Sequence, residues 1–211
     1  MNFTMHFYLK TWFIALLVFA SAGLFFCVLF LSEIATQLEF ISAGEKLENQ
    51  EILPLGFSKT APARGNPEAR IQIAIFADFL CPFCRENFFI LDDILSRHSD
   101  DIYLQFRHFP IISQDSQTKA EASMCADEQD KFWEYHDQEF SGQIDLSVLN
   151  LDQEQFDQCV KDRKYKKLVE DDFNDGRRLG VSATPTFFIN GRKIQGVLPL
   201  DVWEKLIAEL R

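Results

Sequence analysis

The chain has 211 residues, of which 47% are hydrophobic and 25% charged, a length that suits one ordinary domain plus an appendage. Its 22 Phe, with only nine Gly and seven Pro, exclude a collagenous, low-complexity or mostly disordered chain. With 32 acidic and 21 basic side chains, the formal net charge is -11. Nucleic-acid binding is therefore not expected, because it needs clustered Lys and Arg.

An apolar segment near the N-terminus predicts a membrane anchor. Residues 11–32 contain no charged side chain, and as a helix they would span roughly 33 Å, enough for the hydrocarbon core of a bilayer. Lys10 predicts that residues 1–10 are cytoplasmic and that the rest of the chain lies outside. The alternative is a secretory signal cleaved at Ala20-Ser21-Ala22. We favour the anchor, because Leu24–Leu31 continues the apolar run beyond that site.

The next part of the chain predicts a tether followed by a β-α-β unit. Charged residues, Pro and Gly interrupt residues 33–68, which we interpret as the tether. Ile71–Ala77 is a near-continuous apolar run, typical of a strand that is covered on both faces. A helix is predicted to open at Cys81-Pro82, and the alternation over Ile102–Phe109 predicts a second strand. This order predicts a parallel crossover unit.

The rest of the chain predicts a helical block and then a β-β-α unit. Helical periodicity covers about residues 113–180, where we interpret the acidic run Glu170–Asp172 as a solvated helix face. The β pattern then returns in two runs joined by Asn190-Gly191, a strong signal for a hairpin turn. Asp201 and Glu204 predict the capping box of a final helix. The fold class is therefore α/β, with a helical insertion between β-α-β and β-β-α.

Two cysteines form a Cys-Pro-Phe-Cys motif, Cys81 to Cys84, directly after a predicted strand. At the start of a helix, the sulfur of Cys81 lies beside free backbone N–H groups and the positive end of the helix dipole, which both stabilise a thiolate. Cys84 follows one turn later, within reach of a short disulfide. Pro82 suits the first turn, where its missing N–H is not needed. The pair is therefore predicted to cycle between dithiol and disulfide by thiolate exchange.

Two other interpretations of the motif are weaker. A zinc site would need a second pair of ligands, but Cys125 and Cys159 are isolated in the sequence and the histidines lack ligand spacing. A purely structural disulfide across one helical turn would constrain the unfolded chain little. We therefore expect neither a metal nor a cofactor.

The motif and two later segments together resemble the exported thiol–disulfide oxidoreductases of the DsbA-like group. The three segments are Asp78–Cys84, Lys131–Asp137 and Gly180–Gly191, the last of which contains Thr184-Pro185-Thr186. Cys-Pro-x-Cys followed about 100 residues later by Thr-Pro-Thr is far more specific than either motif alone. The resemblance implies a thioredoxin-like domain over residues 69–211, with the helical block as its insertion.

The resemblance also implies that Thr184 and Pro185 belong to the active site. In thioredoxin folds a cis-proline before the third strand faces the active-site cysteines, and an X-Pro bond adopts the cis form at modest cost. The backbone of Thr184 would pair with an extended substrate segment. The sequence departs from the thioredoxin pattern at Ile75, where many relatives place a buried carboxylate that shuttles a proton. Asp78 is interpreted as a loop cap, so water is the default proton acceptor.

Cys125 and Cys159 both lie in the helical block. Buried free thiols behave as small apolar residues, so separate packing in the core is one interpretation. Spare cysteines in an oxidising compartment more often pair, and some DsbA-like proteins carry a second disulfide in the helical domain. We therefore predict a structural disulfide between Cys125 and Cys159.

The function implied by the resemblance is a dithiol oxidase that introduces disulfides into reduced or unfolded exported proteins through Cys81 and Cys84. A membrane partner linked to quinone would reoxidise the pair. The single-pass anchor would lie in the cytoplasmic (inner) membrane and hold the catalytic domain on the periplasmic side, near that partner. The alternatives are a disulfide reductase or isomerase on the same fold and a non-enzymatic assembly factor.

Overall fold

The computed structural model describes residues 24–32, 34, 58, 60–142 and 145–211. The chain divides into two compact units, Met1–Asn49 and Gln50–Arg211. In the first unit, residues 24–32 form a helix with exposed side chains. Residues 1–10 and 11–23, which hold the predicted cytoplasmic end and most of the predicted transmembrane helix, lie outside the described residues. Within the described part of the chain, no helix is both long enough and apolar enough to cross a membrane.

A five-stranded sheet forms the centre of the second unit, in the order β1-β3-β2-β4-β5. The strands are β1 Ala63–Gly65, β2 Ile71–Ala77, β3 Ile102–His108, β4 Thr186–Ile189 and β5 Arg192–Gln195. Strand β2 pairs parallel with β3 and antiparallel with β4, so that Ile73 lies between Leu104 and Ile189. All three of these side chains are buried, as the apolar runs in the sequence predict.

Six α-helices surround this sheet in the described chain. They are α1 Pro82–Arg97, α2 Gln114–Asp127, α3 Phe132–Ser141, α4 Gln153–Lys161, α5 Lys166–Arg178 and α6 Leu200–Leu210, with a 3-10 helix at Leu146–Leu149. Helix α1 connects the parallel strands β2 and β3, which confirms the predicted crossover unit. Helices α2 to α5 form the predicted insertion between β3 and β4. The α/β order predicted from the sequence is thereby confirmed.

The insertion has a hydrophobic core of its own. Cys125 in α2 and Cys159 in α4 form a disulfide, and both residues are buried. Ala122, Tyr135 and Phe156 pack in the same cluster. The disulfide therefore joins two insertion helices inside their shared core.

Strand β1 was missed by the sequence analysis, because it lies within residues 33–68, interpreted there as a tether. It pairs antiparallel with β3, and Arg64 lies opposite Leu104. Trp133 of α3 donates its indole N–H to the carbonyl of Ala63 at 3.1 Å, and the Arg64 guanidinium lies 4.4 Å from the centre of the Trp133 ring. Three residues carry too little pattern to predict a strand, so β1 is defined by its partners.

The interpretation of Glu170–Asp172 as a solvated face is wrong for Asp172. This carboxylate is buried and accepts hydrogen bonds from Arg107 Nε at 2.6 Å and from the backbone N–H of His108 at 3.0 Å. Burial raises the pKa of Asp172, and its contacts with Arg107 oppose that rise. Helix α5 is therefore tied to the end of β3 by a contact that helical periodicity alone cannot reveal.

The predicted capping box of the last helix is also wrong. The N-cap of α6 is Pro199, which makes no side-chain capping bond, and Asp201 lies within the first turn. Glu204 instead forms an ion pair with Arg97 and a hydrogen bond with Nε2 of His98 at 3.0 Å. Helix α6 is therefore held by contacts to the end of α1.

The close approach of α5 to the core makes Gly176 a sensitive position. A Cβ atom there would lie 2.7 Å from the Phe109 ring and 3.0 Å from the Phe76 ring. We expect Gly176→Ala to lower the free energy of unfolding, because a contact of 2.7 Å forces overpacking that costs up to about 3 kcal/mol, against the roughly 1 kcal/mol that Ala gains over Gly in a helix. Urea denaturation measures the change. Asn174→Ala, at an exposed position of the same helix, is the control and should cause no loss.

Candidate active site

The Cys-Pro-Phe-Cys motif opens helix α1, as the sequence predicts. Cys81 is the N-cap, with an extended backbone (φ -75°, ψ 121°), and Pro82 is the first helical residue. In its thiol form Cys81 donates a hydrogen bond from Sγ to the carbonyl of Thr184 at 3.3 Å. The Thr184-Pro185 peptide bond is cis. The structure thus brings Cys81 and the Thr184-Pro185 segment together, although they are far apart in the sequence.

The two thiols of the motif differ in acidity. Both are free and buried, with 4% of Cys81 and 3% of Cys84 exposed. Hydrogen bonding from the Cys84 thiol outweighs burial and lowers the pKa of Cys81 to about 5, with further help from Thr184 and from the backbone N–H groups of Phe83 and Cys84. Burial raises the pKa of Cys84 far above its usual value, and the interaction with Cys81 adds to this rise. At neutral pH Cys81 is therefore a thiolate and Cys84 is a thiol.

Asp78 positions the loop that leads into the motif. Its Oδ1 accepts the backbone N–H of Leu80 at 2.8 Å, and its Oδ2 accepts those of Ile111 at 2.8 Å and Ile112 at 2.9 Å. These three bonds connect the loop before Cys81 to the loop after β3. The interpretation of Asp78 as a loop cap is confirmed.

A small cavity lies behind Cys84, on the inner side of α1. Its volume is about 10 Å³, and its wall includes Cys84, Ile75, Asn87 and His136. Asn87 is 1% exposed, and neither polar atom of its side-chain amide has a hydrogen-bond partner among the described residues. The sequence analysis missed this residue. The available signal was its position three residues after Cys84, on the buried face of α1.

The outer surface near the motif is apolar. Phe83, between the two cysteines, is 59% exposed, and Ile111 and Ile112 are exposed on the adjoining loop. Within the described residues, no group of His, Cys, Asp or Glu is arranged to hold a metal ion. The site therefore consists of a buried sulfur pair, a backbone carbonyl beside it and an apolar rim.

Comparison with known proteins gives one family match and two kinds of relative. Residues 58–209 match the family Thioredoxin_4, described as thioredoxin. The Na(+)/H(+) antiporter NhaA 1 of Mycobacterium sp. (strain KMS) is 32% identical over 163 residues, which are 68% of this chain and 27% of the antiporter. The chain thus spans about a quarter of the length of that relative. A probable disulfide bond formation protein D of Bacillus anthracis is 25% identical over 190 residues, 80% of this chain and 86% of that protein.

Solved structures show the same fold. BdbD from Bacillus subtilis superposes with a TM-score of 0.65 at 23% identity, over 72% of this chain and 93% of that one. DsbA2 from Pseudomonas aeruginosa has a TM-score of 0.63 at 27% identity, over 74% and 97%. Since the family match covers residues 58–209, the chain belongs to the thioredoxin family, and its domain shares the fold of the DsbA-type proteins.

Proposed function

We propose that this oxidoreductase acts as a dithiol oxidase that introduces disulfides into reduced exported proteins through Cys81 and Cys84. The observation that carries the proposal is the position of Cys81 at the N-cap of α1, one turn before Cys84 and 3.3 Å from the carbonyl of Thr184. These surroundings lower the pKa of Cys81 to about 5, whereas burial raises that of Cys84. A stabilised thiolate is a good leaving group, and it stabilises the reduced form of the pair. The disulfide form is therefore expected to be a strong oxidant.

In the proposed reaction, a substrate thiolate attacks Sγ of Cys81 in the Cys81–Cys84 disulfide. The bond between the two enzyme sulfurs breaks, and Cys84 leaves as a thiolate that takes up a proton. A second substrate thiolate then attacks the substrate sulfur of the mixed disulfide, and Cys81 leaves as a thiolate. The substrate loses two electrons and gains a disulfide, while the enzyme pair becomes reduced.

The surroundings of Cys81 suit an unfolded polypeptide as the substrate. The backbone of Thr184, whose carbonyl lies 3.3 Å from Sγ of Cys81, would pair with an extended segment, and Pro185 has no N–H that would compete for the sulfur. The exposed side chains of Phe83, Ile111 and Ile112 offer apolar contacts. Unfolded chains expose such apolar side chains, whereas folded ones bury them.

The proposed location of the domain is outside the cytoplasm. The disulfide between Cys125 and Cys159 supports an oxidising compartment, where such bonds persist. Residues 11–32 would anchor the chain in the cytoplasmic membrane, and a quinone-linked membrane partner would reoxidise the reduced pair. The similarity to a probable disulfide bond formation protein of Bacillus anthracis supports the same role.

The first test is the reduction potential of the pair, measured by equilibration with glutathione and mass spectrometry. We expect a value nearer to about -120 mV, as in DsbA, than to about -270 mV, as in thioredoxin. Above about pH 5, reduction of the Cys81–Cys84 disulfide takes up one proton, because Cys81 stays ionised. Below that pH, reduction takes up two protons, because both sulfurs become thiols. The potential should therefore fall by about 30 mV per pH unit above that pH and by about 59 mV below it. A value near the thioredoxin end would indicate a reductase.

The second test concerns the source of the low pKa of Cys81. The rate of Cys81 alkylation by iodoacetamide should rise with pH through a midpoint at about 5. Cys84→Ala should move this midpoint upward, because the thiol of Cys84 supplies the largest stabilising hydrogen bond. Cys84→Ser keeps a hydrogen-bond donor at the same position and should therefore shift the alkylation midpoint less than Cys84→Ala does. An unchanged midpoint in Cys84→Ala would contradict this account.

The third test identifies the substrate class by trapping in cells. In Cys84→Ala the Cys81 thiolate can still attack a disulfide of an exported protein, which releases one sulfur of that protein as a thiolate. Because Cys84 is missing and cannot resolve the mixed disulfide, these adducts should accumulate. Non-reducing electrophoresis and mass spectrometry detect them. Cys81→Ala is the matched control and should form none. A lack of adducts in Cys84→Ala would favour a non-enzymatic assembly factor.

A further inference from the structure

The cavity behind Cys84 has room for one water molecule, and its mainly apolar wall includes the polar side chains of Asn87 and His136, which could bind that water. A volume of about 10 Å³ corresponds to a single water in a protein interior. Asn87 supplies one N–H₂ donor and one C=O acceptor, both buried and without a partner in the described chain. Such groups are rare in native proteins, because a buried amide that makes no hydrogen bond costs about 1–3 kcal/mol. A bound water would satisfy the amide of Asn87.

Cys84 needs a route for its proton. Its sulfur is buried, and both its attack on a mixed disulfide and its release from the enzyme disulfide require a proton to move. The apolar side chain of Ile75 also lines the cavity and has no group that accepts a proton. A route must therefore use a different side chain in the cavity wall.

His136 in α3 and Arg64 in β1 both line this cavity with Cys84, but a guanidinium stays protonated, so His136 is the side chain that can accept a proton. Its Nδ1 lies 2.8 Å from Oδ1 of Asp137, and the side chain of Asp137 is 44% exposed. A carboxylate only accepts, so Nδ1 carries the proton in the neutral ring and Nε2 is left as the basic nitrogen. His136 therefore connects a buried cavity to a carboxylate that reaches solvent.

We propose that Asn87 holds a water molecule in the cavity and that this water carries the proton of Cys84 to His136, from which it leaves at Asp137. This inference rests on the exchange role proposed for Cys81 and Cys84. Asn87 is a positioning residue, since it acts through the water. His136 also acts through the water and makes no contact with substrate.

Each step of the relay balances. When Cys84 attacks a mixed disulfide at Cys81, its S–H proton passes to the water, and the water gives a proton to Nε2 of His136. The new sulfur–sulfur bond joins Cys84 to Cys81, and the other thiol leaves as a thiolate. His136 then loses its Nδ1 proton towards Asp137 and solvent. In the oxidase direction the same route returns a proton to Cys84.

Burial keeps the His136 side chain neutral and therefore able to accept a proton. Burial lowers the pKa of His136, and Arg64 of β1 acts in the same direction. Asp137 and Asp92 raise it, but burial outweighs them. The neighbouring His108 in β3 stays neutral as well, since burial lowers its pKa to about 3. Above its lowered pKa, His136 is therefore present as the free base.

The relay is tested with the full chain by rapid quenching of the reaction between reduced protein and oxidised glutathione. Formation of the mixed disulfide reports on Cys81, and its resolution reports on Cys84. Asn87→Leu, His136→Phe and Asp137→Asn should each slow resolution, by about tenfold or more for the first two, and leave formation within about twofold. Asn87→Leu removes an unpartnered buried amide and Asp137→Asn lies at a partly exposed position, so both should fold. Leu95→Met changes packing in α1 and should leave both steps unchanged.

The pH profile separates proton transfer from packing. In the unsubstituted chain, resolution should be nearly level above the lowered pKa of His136, whereas in Asn87→Leu and His136→Phe it should rise about tenfold per pH unit, because hydroxide replaces the relay. Resolution at the unsubstituted rate in both variants would overturn the proposal, as would equal slowing in Leu95→Met. Slowing in Asn87→Leu alone would overturn the role of His136. If the unsubstituted chain forms no mixed disulfide, the exchange role itself is wrong.

Discussion

The structure depends on the stabilisation of a negative charge on one buried sulfur. The donors that face Cys81 are the thiol of Cys84, the side chain of Thr184 and the backbone N–H groups of Phe83 and Cys84. All of them except Thr184 belong to the first turn of α1, which starts at Pro82. Local sequence alone therefore builds most of the thiolate site. Burial opposes the charge, and the sulfur stays acidic only because these donors outweigh that cost.

The scaffold holds this turn in place through polar contacts between distant segments. Asp78 joins the loop before the motif to the loop after β3, and Asp172 fixes α5 to Arg107 at the end of the same strand. The side-chain amide of Asn87, one turn after Cys84 on α1, is buried and has no hydrogen-bond partner in the described chain. Such a group calls for a structural or chemical explanation.

The insertion contributes to the site as well as to the size of the domain. It has its own core and disulfide, so its helices are held together apart from the sheet. Yet α3 sends His136 into the wall of the cavity behind Cys84, and Trp133 of the same helix bonds to β1. In the proposed relay, the cavity beside Cys84 is therefore formed by side chains of both α1 and α3.

The sequence by itself determined the features that depend on neighbouring residues. Some features depend only on residues that are close in the sequence, namely the Cys81–Cys84 spacing, the apolar run of β2 and the Asn190-Gly191 turn. The α/β order and the start of a helix at the motif could therefore be predicted. Three other features became known only from the tertiary structure: the existence of strand β1, the burial of Asp172 and the cavity beside Asn87. The partner of Asp172 is 65 residues away, and a cavity arises only where several elements meet. Contacts between residues so far apart in the sequence produce no hydrophobic periodicity from which they could be predicted.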